Sequence, residues 1–240
     1  MKLHIISDTH TKHRELDLPG GDVLIHAGDF MSSGYSTDEL IDFLNWLEVQ
    51  PYEHKIYIAG NHDRIFEDNP AIGDLMNVVY PSLTYLQDSE VVIDGVKFYG
   101  SPWTPEFMGW AFALPKDERS ADERFKLIPE DTDVVISHGP AFGKLDQVDR
   151  LGVLGEHLGC PSLSRRIEEI NPQLHICGHI HSGRGVMDGY GQITTHINAS
   201  CLGEDYMLVQ EQNYIEWEIK SDEDKRQDTR LDIEKVAQDT

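Results

Sequence analysis

The sequence is poor in cysteine, in positive charge and in long apolar runs, and each shortage removes a class of protein. Only Cys160, Cys177 and Cys201 occur in 240 residues. Three is odd and no C-x-x-C pair exists, which excludes a disulfide framework and a zinc ribbon. Buried thiols packing as small apolar groups are the expectation. No stretch reaches the roughly 20 apolar residues that a membrane helix needs. Met1-Lys2 runs into Leu3-His4-Ile5-Ile6, too short for the apolar region of a secretory signal, and meets Asp8 at once. A cytoplasmic protein without a membrane partner is therefore expected. Lys and Arg number 20 against 43 Asp and Glu, a formal net charge of −23. Long nucleic acid, held mainly by phosphate neutralisation, is not an expected partner. A small phosphate ester fits if positive charge is supplied locally, and most of the carboxylates serve solubility.

What the chain does contain is enough apolar material for a core, at 39% of residues. Its length fits one large domain, read as residues 1–220. Short apolar runs predict strands at Lys2–Ser7, Asp22–His26, His54–Ala59, Asp133–Ser137, Leu174–Cys177 and Tyr214–Ile219. Leu40, Phe43, Leu44 and Leu47 recur at i, i+3, i+4, i+7 behind Ser36 and Glu39, which have capping-box spacing, and predict a helix. Leu163, Ile167 and Ile170 mark another helix face, stopped by Asn171-Pro172. Asp94-Gly95 between Glu90–Ile93 and Val96–Gly100 reads as a hairpin. Val186–Asp188 and Gln192–Asn198 read as a second, around Gly189-Tyr190-Gly191. Strand, helix, strand implies βαβ units and the α/β class. Ser101–Pro129 reads as irregular. Residues 221–240 are dense in charge of both signs and read as a tail in which only Leu231, Ile233 and Val236 can dock.

Five polar motifs each follow a predicted strand. They are Asp8-Thr9-His10, Gly28-Asp29, Gly60-Asn61-His62-Asp63, Ser137-His138-Gly139-Pro140 and Gly178-His179-Ile180-His181. Strand ends are where α/β folds place their sites. Singly each motif is weak, since D-x-H arises by chance and Gly-Asp serves as a turn and helix cap. Together they bring carboxylate, imidazole and amide into one mixed O/N ligand set that suits Mn, Fe or Zn. His26 reads as a satisfied core histidine, and His4, His175 and His196 as strand positions. His13, His54 and His157 read as surface. Trp103, Phe107, Trp110 and Phe112 have two readings: a platform for a nucleobase near the site, or, more commonly, anchors for a long loop.

The order D-x-H, G-D, G-N-H-D, H, G-H-x-H, running from Asp8 to His181, resembles the calcineurin-like metallophosphoesterase superfamily. Ile25-His26-Ala27-Gly28-Asp29-Phe30, Gly100-Ser101-Pro102-Trp103, Leu127-Ile128-Pro129, His138-Gly139-Pro140 and Ile197-Asn198-Ala199-Ser200 are similar to its metallophosphoesterase-domain-containing branch, whose members resemble class III cyclic nucleotide phosphodiesterases. Some members of that branch lack the first His of G-H-x-H, which this chain keeps as His179. The resemblance implies a four-layer fold, a two-sheet β-sandwich flanked by α-helices. It implies two divalent metal ions, Mn²⁺ favoured, with Fe or Zn²⁺ as alternatives. Asp8, His10 and His181 would hold the first, Asn61, His138 and His179 the second, and Asp29 would bridge. It implies phosphate-ester hydrolysis by a hydroxide bridging the metals. His62 would protonate the leaving alkoxide, and Asp63 would orient His62; a helix N-cap is the competing role for Asp63. The expected substrate is a small phosphodiester such as a 2′,3′- or 3′,5′-cyclic nucleotide. A phosphomonoesterase or protein phosphatase, a nuclease for short oligonucleotides, and a metal-binding scaffold without turnover are the alternatives. The oligomeric state is not legible.

Overall fold

The apolar runs pair into two mixed sheets in a computed structural model that describes residues 1–115, 118–150, 153–189, 194–209 and 213–220. The tail 221–240, and the turn between the two strands of the expected second hairpin, lie outside the described residues. The strands begin with Lys2–Ile6 (β1), Gly21–His26 (β2), Tyr52–Tyr57 (β3), Thr84–Tyr85 (β4), Ser89–Ile93 (β5), Val96–Ser101 (β6), Thr104–Pro105 (β7) and Ala113–Leu114 (β8). They continue with Val134–Ser137 (β9), Gln147–Arg150 (β10), Val153–His157 (β11), Leu174–Cys177 (β12), Gly185–Met187 (β13), Thr195–Asn198 (β14) and Ile215–Glu218 (β15). The α-helices are Thr37–Glu48 (α1), Ile65–Asp68 (α2), Ile72–Val79 (α3), Glu118–Phe125 (α4) and Pro161–Ile170 (α5).

One sheet has the order β15-β1-β2-β3-β4 and the other β13-β14-β12-β9-β6-β5. Both are parallel in the middle, with antiparallel pairs at β15–β1, β13–β14 and β5–β6. Parallel strands buried on both faces read as continuous apolar runs, which is why these strands stood out in the sequence. Three cores fill three interfaces. Leu3, Ile5, Val23, Ile25 and Ile56 of the first sheet meet Phe98, Val134, Ile136, Leu174 and Ile176 of the second. Ile6, Leu24 and Tyr57 meet α1, α2 and α3 through Leu40, Phe43, Leu44, Phe66 and Met76. Tyr99 and Val135 meet α4 and α5 through Phe125, Leu163 and Ile167. The chain is thus a helix–sheet–sheet–helix sandwich, as the resemblance implies.

Ser36 caps α1, its side chain accepting from Glu39 N at 3.2 Å. The reciprocal half of the capping box is absent, because the Glu39 carboxylate accepts instead from Ser32 N at 2.9 Å. Asp94 and Gly95 both take left-handed φ, +49° and +77°, as a two-residue hairpin turn requires. Asn171 closes α5 in the left-handed conformation. Ser101–Pro129 is less irregular than expected, since it contains α4. That helix buries only Ala121 and Phe125, too few positions for an apolar period. Helix α3 escapes the same pattern for the opposite reason, with Leu75, Val78 and Val79 exposed on its outer side. All three cysteines are buried and free. Among the described residues, no helix is long and apolar enough to cross a membrane. Ser36→Ala should cost about 1 kcal/mol of unfolding free energy, read as a lower urea midpoint at unchanged slope.

Candidate metal centre

Parallel strands deliver their C-terminal ends to one edge of each sheet. Asp8 follows β1, Asp29 follows β2, Asn61 and His62 follow β3, His138 follows β9, and His179 and His181 follow β12. The two edges are joined by a bridge between Ser7 and Ser200, and Cys201 N donates to the Ser7 carbonyl at 2.8 Å. The chain turns sharply here. Asp8, His10, Thr11, Asp29 and His179 all have left-handed φ, between +39° and +69°. Such conformations cost on the order of 1 kcal/mol each and are retained where a site demands them. Two glycines permit the crowding: a Cβ on Gly60 would strike Asp29 and His138, and one on Gly178 would strike Ser7 and Asp8.

Backbone carbonyls decide which ring nitrogen faces the centre. A carbonyl can only accept, so a ring nitrogen beside one must carry the proton. His10 Nδ1 donates to Met31 O (3.1 Å), His138 Nδ1 to Ala27 O (2.9 Å) and His181 Nδ1 to Gly203 O (3.0 Å). His62 Nδ1 donates to Ser32 O. Each ring is left with Nε2 as its other nitrogen. His138 Nε2 lies 2.9 Å from Asn61 Oδ1 and 3.2 Å from Asp29 Oδ2. His10 Nε2 lies 3.9 Å from the same Asp29 oxygen, and His181 Nε2 lies 3.6 Å from Asp8 Oδ1. Three groups result, each with ligand atoms within 4.8 Å of one another: Asp8, His10 and His181; Asp29, His138 and His179; and His10, Asp29 and His62. Asp29 stands between the first two, since its Oδ2 faces both His10 and His138.

The residues fit divalent cations. His10 Nε2 is buried and has no hydrogen-bond partner, which is costly unless something accepts its lone pair. Burial alone would push Asp8 and Asp29 up, but the imidazoles around them hold both carboxyls well below their ordinary range. Burial likewise opposes charge on His138 and His181, yet the two carboxylates outweigh it and raise both to about 9. An acceptor-rich centre of this kind draws positive charge, and carboxylate–imidazole–amide sets offer it to metals of the Mn, Fe and Zn type. Supporting bonds keep the ligands in place. Asp8 accepts from His179 N (3.0 Å) and Ser200 Oγ (2.7 Å), and Asp29 Oδ1 accepts from His62 N (2.7 Å). Asn198 Nδ2 donates to the carbonyls of Gly178 (3.2 Å) and Ile180 (2.9 Å), fixing the G-H-x-H loop. Ser200 and Asn198 were signalled only by the Ile197–Ser200 stretch, and nothing in it marked their roles.

Four expectations change. Asp63 does not orient His62, and it does not cap a helix. Its buried carboxylate accepts from Gly60 N (2.7 Å), Asp29 N (2.8 Å) and Met31 N (2.9 Å), tying two motif loops together, and helix α2 has no side-chain cap. The Ser32 carbonyl orients His62 instead. His13 is buried rather than on the surface, its ring against Phe43 and Trp46 and its Nε2 3.1 Å from Asp42. The aromatic segment divides. Phe112 is buried and Trp103 is held by Asp88 (2.9 Å) with Arg124 over its ring, whereas Phe107 and Trp110 line the pocket at the metal centre. Tyr206 lines it too and packs on His10 and His181, and no sequence signal pointed to it. His26 is the neutral core histidine expected, bonded to Thr9 Oγ1 at 3.0 Å and lowered to about 3 by burial. His175 and His196 lie on β12 and β14, joined Nδ1 to Nδ1 at 2.9 Å.

The pocket is about 390 Å³ in volume. Its lining includes His10, Asp29, Asn61, His62, His179 and His181, with the exposed Glu106 and Glu204, and no Lys or Arg among the described residues that line it. Because Asp63 holds three loop N–H groups, Asp63→Ala should destabilise the fold by about 3 kcal/mol and lower Mn²⁺ content, measured by urea unfolding and elemental analysis. A stable variant with full metal content and only reduced turnover would restore the His62-orienting role.

The sequence model of the calcineurin-like phosphoesterase family matches residues 1–183. Human metallophosphoesterase domain-containing protein 1 is 41% identical over 227 residues, covering 85% of this chain and 67% of the human one. Among solved structures, TT1561 of Thermus thermophilus superposes with a TM-score of 0.61 at 13% identity, over 83% of this chain and 88% of that one. The phosphopantetheinyl hydrolase of Mycobacterium tuberculosis gives 0.57 at 16% identity, over 84% and 89%. At such identities the two structures speak for the fold alone. With its motifs gathered at one edge of the sandwich and a family match over three quarters of its length, this chain belongs to the calcineurin-like phosphoesterases, in the metallophosphoesterase-domain-containing branch.

Proposed function

We propose that the protein hydrolyses small phosphodiesters, cyclic nucleotides among them, with two divalent metal ions, Mn²⁺ favoured. The observation that carries this reading is the convergence of imidazole nitrogens with carboxylate and amide oxygens on one pocket. Asp8, His10 and His181 would hold one ion, Asn61, His138 and His179 the other, with Asp29 shared. When bound, such ions neutralise phosphoryl oxygens and make a water acidic enough to attack phosphorus at neutral pH.

The chain's own residues do the rest. With Glu106 and Glu204 in the lining and no cation among its described residues, a diester carrying one negative charge suits the pocket better than a dianionic monoester. The same two carboxylates add to the exclusion of polyanions. A ring nitrogen of His62 lies within 4.8 Å of the ligand atoms of His10 and Asp29, within reach of an ester oxygen at the centre. As the P–O bond breaks, its electron pair stays on the ester oxygen, and a proton passes there from the ring N–H of His62. A cytoplasmic location and a small-molecule partner accord with this chemistry.

Turnover of bis- and mono-nitrophenyl phosphates and of 2′,3′- and 3′,5′-cyclic nucleotides by the Mn²⁺-loaded protein tests the reading. Diesters should be preferred. A higher kcat/KM on monoesters would make it a phosphomonoesterase, and two bound metals with no turnover of any ester would make it a scaffold. His62→Ala should keep both metals and lose roughly 10²–10⁴-fold on alkoxide leaving groups, with a much smaller loss on nitrophenolate. Asp29→Ala should lose metal and activity together, and two retained metals in that variant would remove Asp29 from between them.

A further inference from the structure

His62 is half-buried, and its ring meets protein on three sides. Its Nδ1 donates to the Ser32 carbonyl. His10 meets it edge-on, with ring centroids 4.7 Å apart and planes at 84°. The indole of Trp110 lies nearly flat against it, with centroids 4.0 Å apart and planes at 24°. The hydrogen bond fixes one end of the imidazole but leaves rotation about its own axis. A neighbour on the ring face removes that freedom, and offset stacking of two π systems is the favourable way to do so.

The segment that carries His62 also holds Trp110 in place. The Asn61 carbonyl accepts from Ala111 N at 3.2 Å. Arg64 donates to the Gly109 carbonyl, and the Glu67 carboxylate accepts from Phe112 N at 2.8 Å. Residues on either side of Trp110 are thus tied to residues 61–67. A tight turn closes the arrangement, with Trp110 N donating to Phe107 O at 3.1 Å and left-handed φ of +49° at Met108 and +71° at Gly109. Three ties from one short segment to another are more than a loop needs merely to stay folded. They set the indole relative to the imidazole.

We infer that Trp110 is a positioning residue: by stacking on His62 it holds the imidazole in the orientation from which a proton reaches the departing ester oxygen. This rests on the proposed role of His62. The indole face turned to His62 is unavailable to a nucleobase, so the platform reading of the aromatic segment does not apply to that face. Misplacement of a catalytic group by about 1 Å can cost on the order of 10²-fold, and loss of one of three restraints should cost less.

The test compares Trp110→Leu and Trp110→Phe in the full-length Mn²⁺-loaded protein on a 2′,3′-cyclic nucleotide and on bis-nitrophenyl phosphate. Trp110→Leu should lose about tenfold in kcat on the cyclic nucleotide and little on the nitrophenyl ester, whose leaving group needs no proton. KM and metal content should not change, and Trp110→Phe should recover most of the loss. Added to His62→Ala, Trp110→Leu should have no further effect. Equal losses on both esters would reduce Trp110 to pocket packing, a rise in KM for the nucleotide alone would make it a base platform, and additivity with His62→Ala would uncouple the two rings. An arm without turnover separates this inference from the function it rests on. In metal-free protein with ring-labelled histidine, the His62 C–H resonance, identified by its loss in His62→Ala, should lie at high field from the indole ring current and move downfield in Trp110→Leu. A resonance that stays put overturns the stack. Wild-type protein that hydrolyses neither ester sinks the proposed function, and the resonance shift then still supports the stack.

Discussion

Buried carboxylates and imidazoles crowded into one small centre are the constraint on which the rest of this structure depends. Asp8 faces Nε2 of His181, Asp29 faces Nε2 of His10 and of His138, and Asn61 faces Nε2 of His138 at one edge of the sandwich. His138 Nε2 is paired with Asn61 and Asp29, whereas the buried His10 Nε2 has no hydrogen-bond partner. Buried carboxylates this close to one another need positive charge among them, from the imidazoles or from a bound cation. The scaffold must therefore hold them by force. It does so with left-handed backbone at Asp8, His10, Asp29 and His179, with three N–H groups gathered by Asp63, and with two sheets whose apolar faces lock together. Stability stored in the core offsets strain at the edge.

The same crowding explains the division of labour around the pocket. Carboxylates and Nε2 atoms face inward, while Nδ1 of His10, His138 and His181 is anchored outward on a carbonyl, so each of these three imidazoles has one fixed end and one end turned to the centre. His62 shares that anchoring, yet it differs in being stacked by Trp110 rather than enclosed by carboxylates. An anchored ring at the open side of the centre is suited to moving a proton, whereas the enclosed rings are suited to binding. The acidity of the chain belongs to this picture. A net charge of −23 and the pocket's Glu106 and Glu204 surround the centre with negative charge.

Much of the fold was legible because burial writes itself into sequence in a simple way. Strands β1, β2, β9 and β12 are buried over most of their length and appear as short, mainly apolar runs. Helix α1 shows its period because one face packs and the other does not. Helices α3 and α4 and the small β10–β11 pair were not legible. Helix α3 exposes apolar residues on its outer side, and α4 buries too few.

By itself, the sequence determined which chemistry-bearing residues stand at the ends of which strands. Parallel strands then bring those ends to one edge of the sandwich, which is where the family resemblance placed the ligands. Only the tertiary structure decided how each residue faces it. Which ring nitrogen is available depends on the carbonyls of Ala27, Met31, Ser32 and Gly203, and every residue has a carbonyl, so none is visible in a string of side chains. Asp63 beside His62 in sequence turns away from it to bind backbone N–H groups, because successive residues of a turn point in different directions. Trp110, 48 residues further along the chain, lies against His62 because loop hydrogen bonds bring it there. Proximity in the chain misled about the partner of His62, and packing supplied the true one.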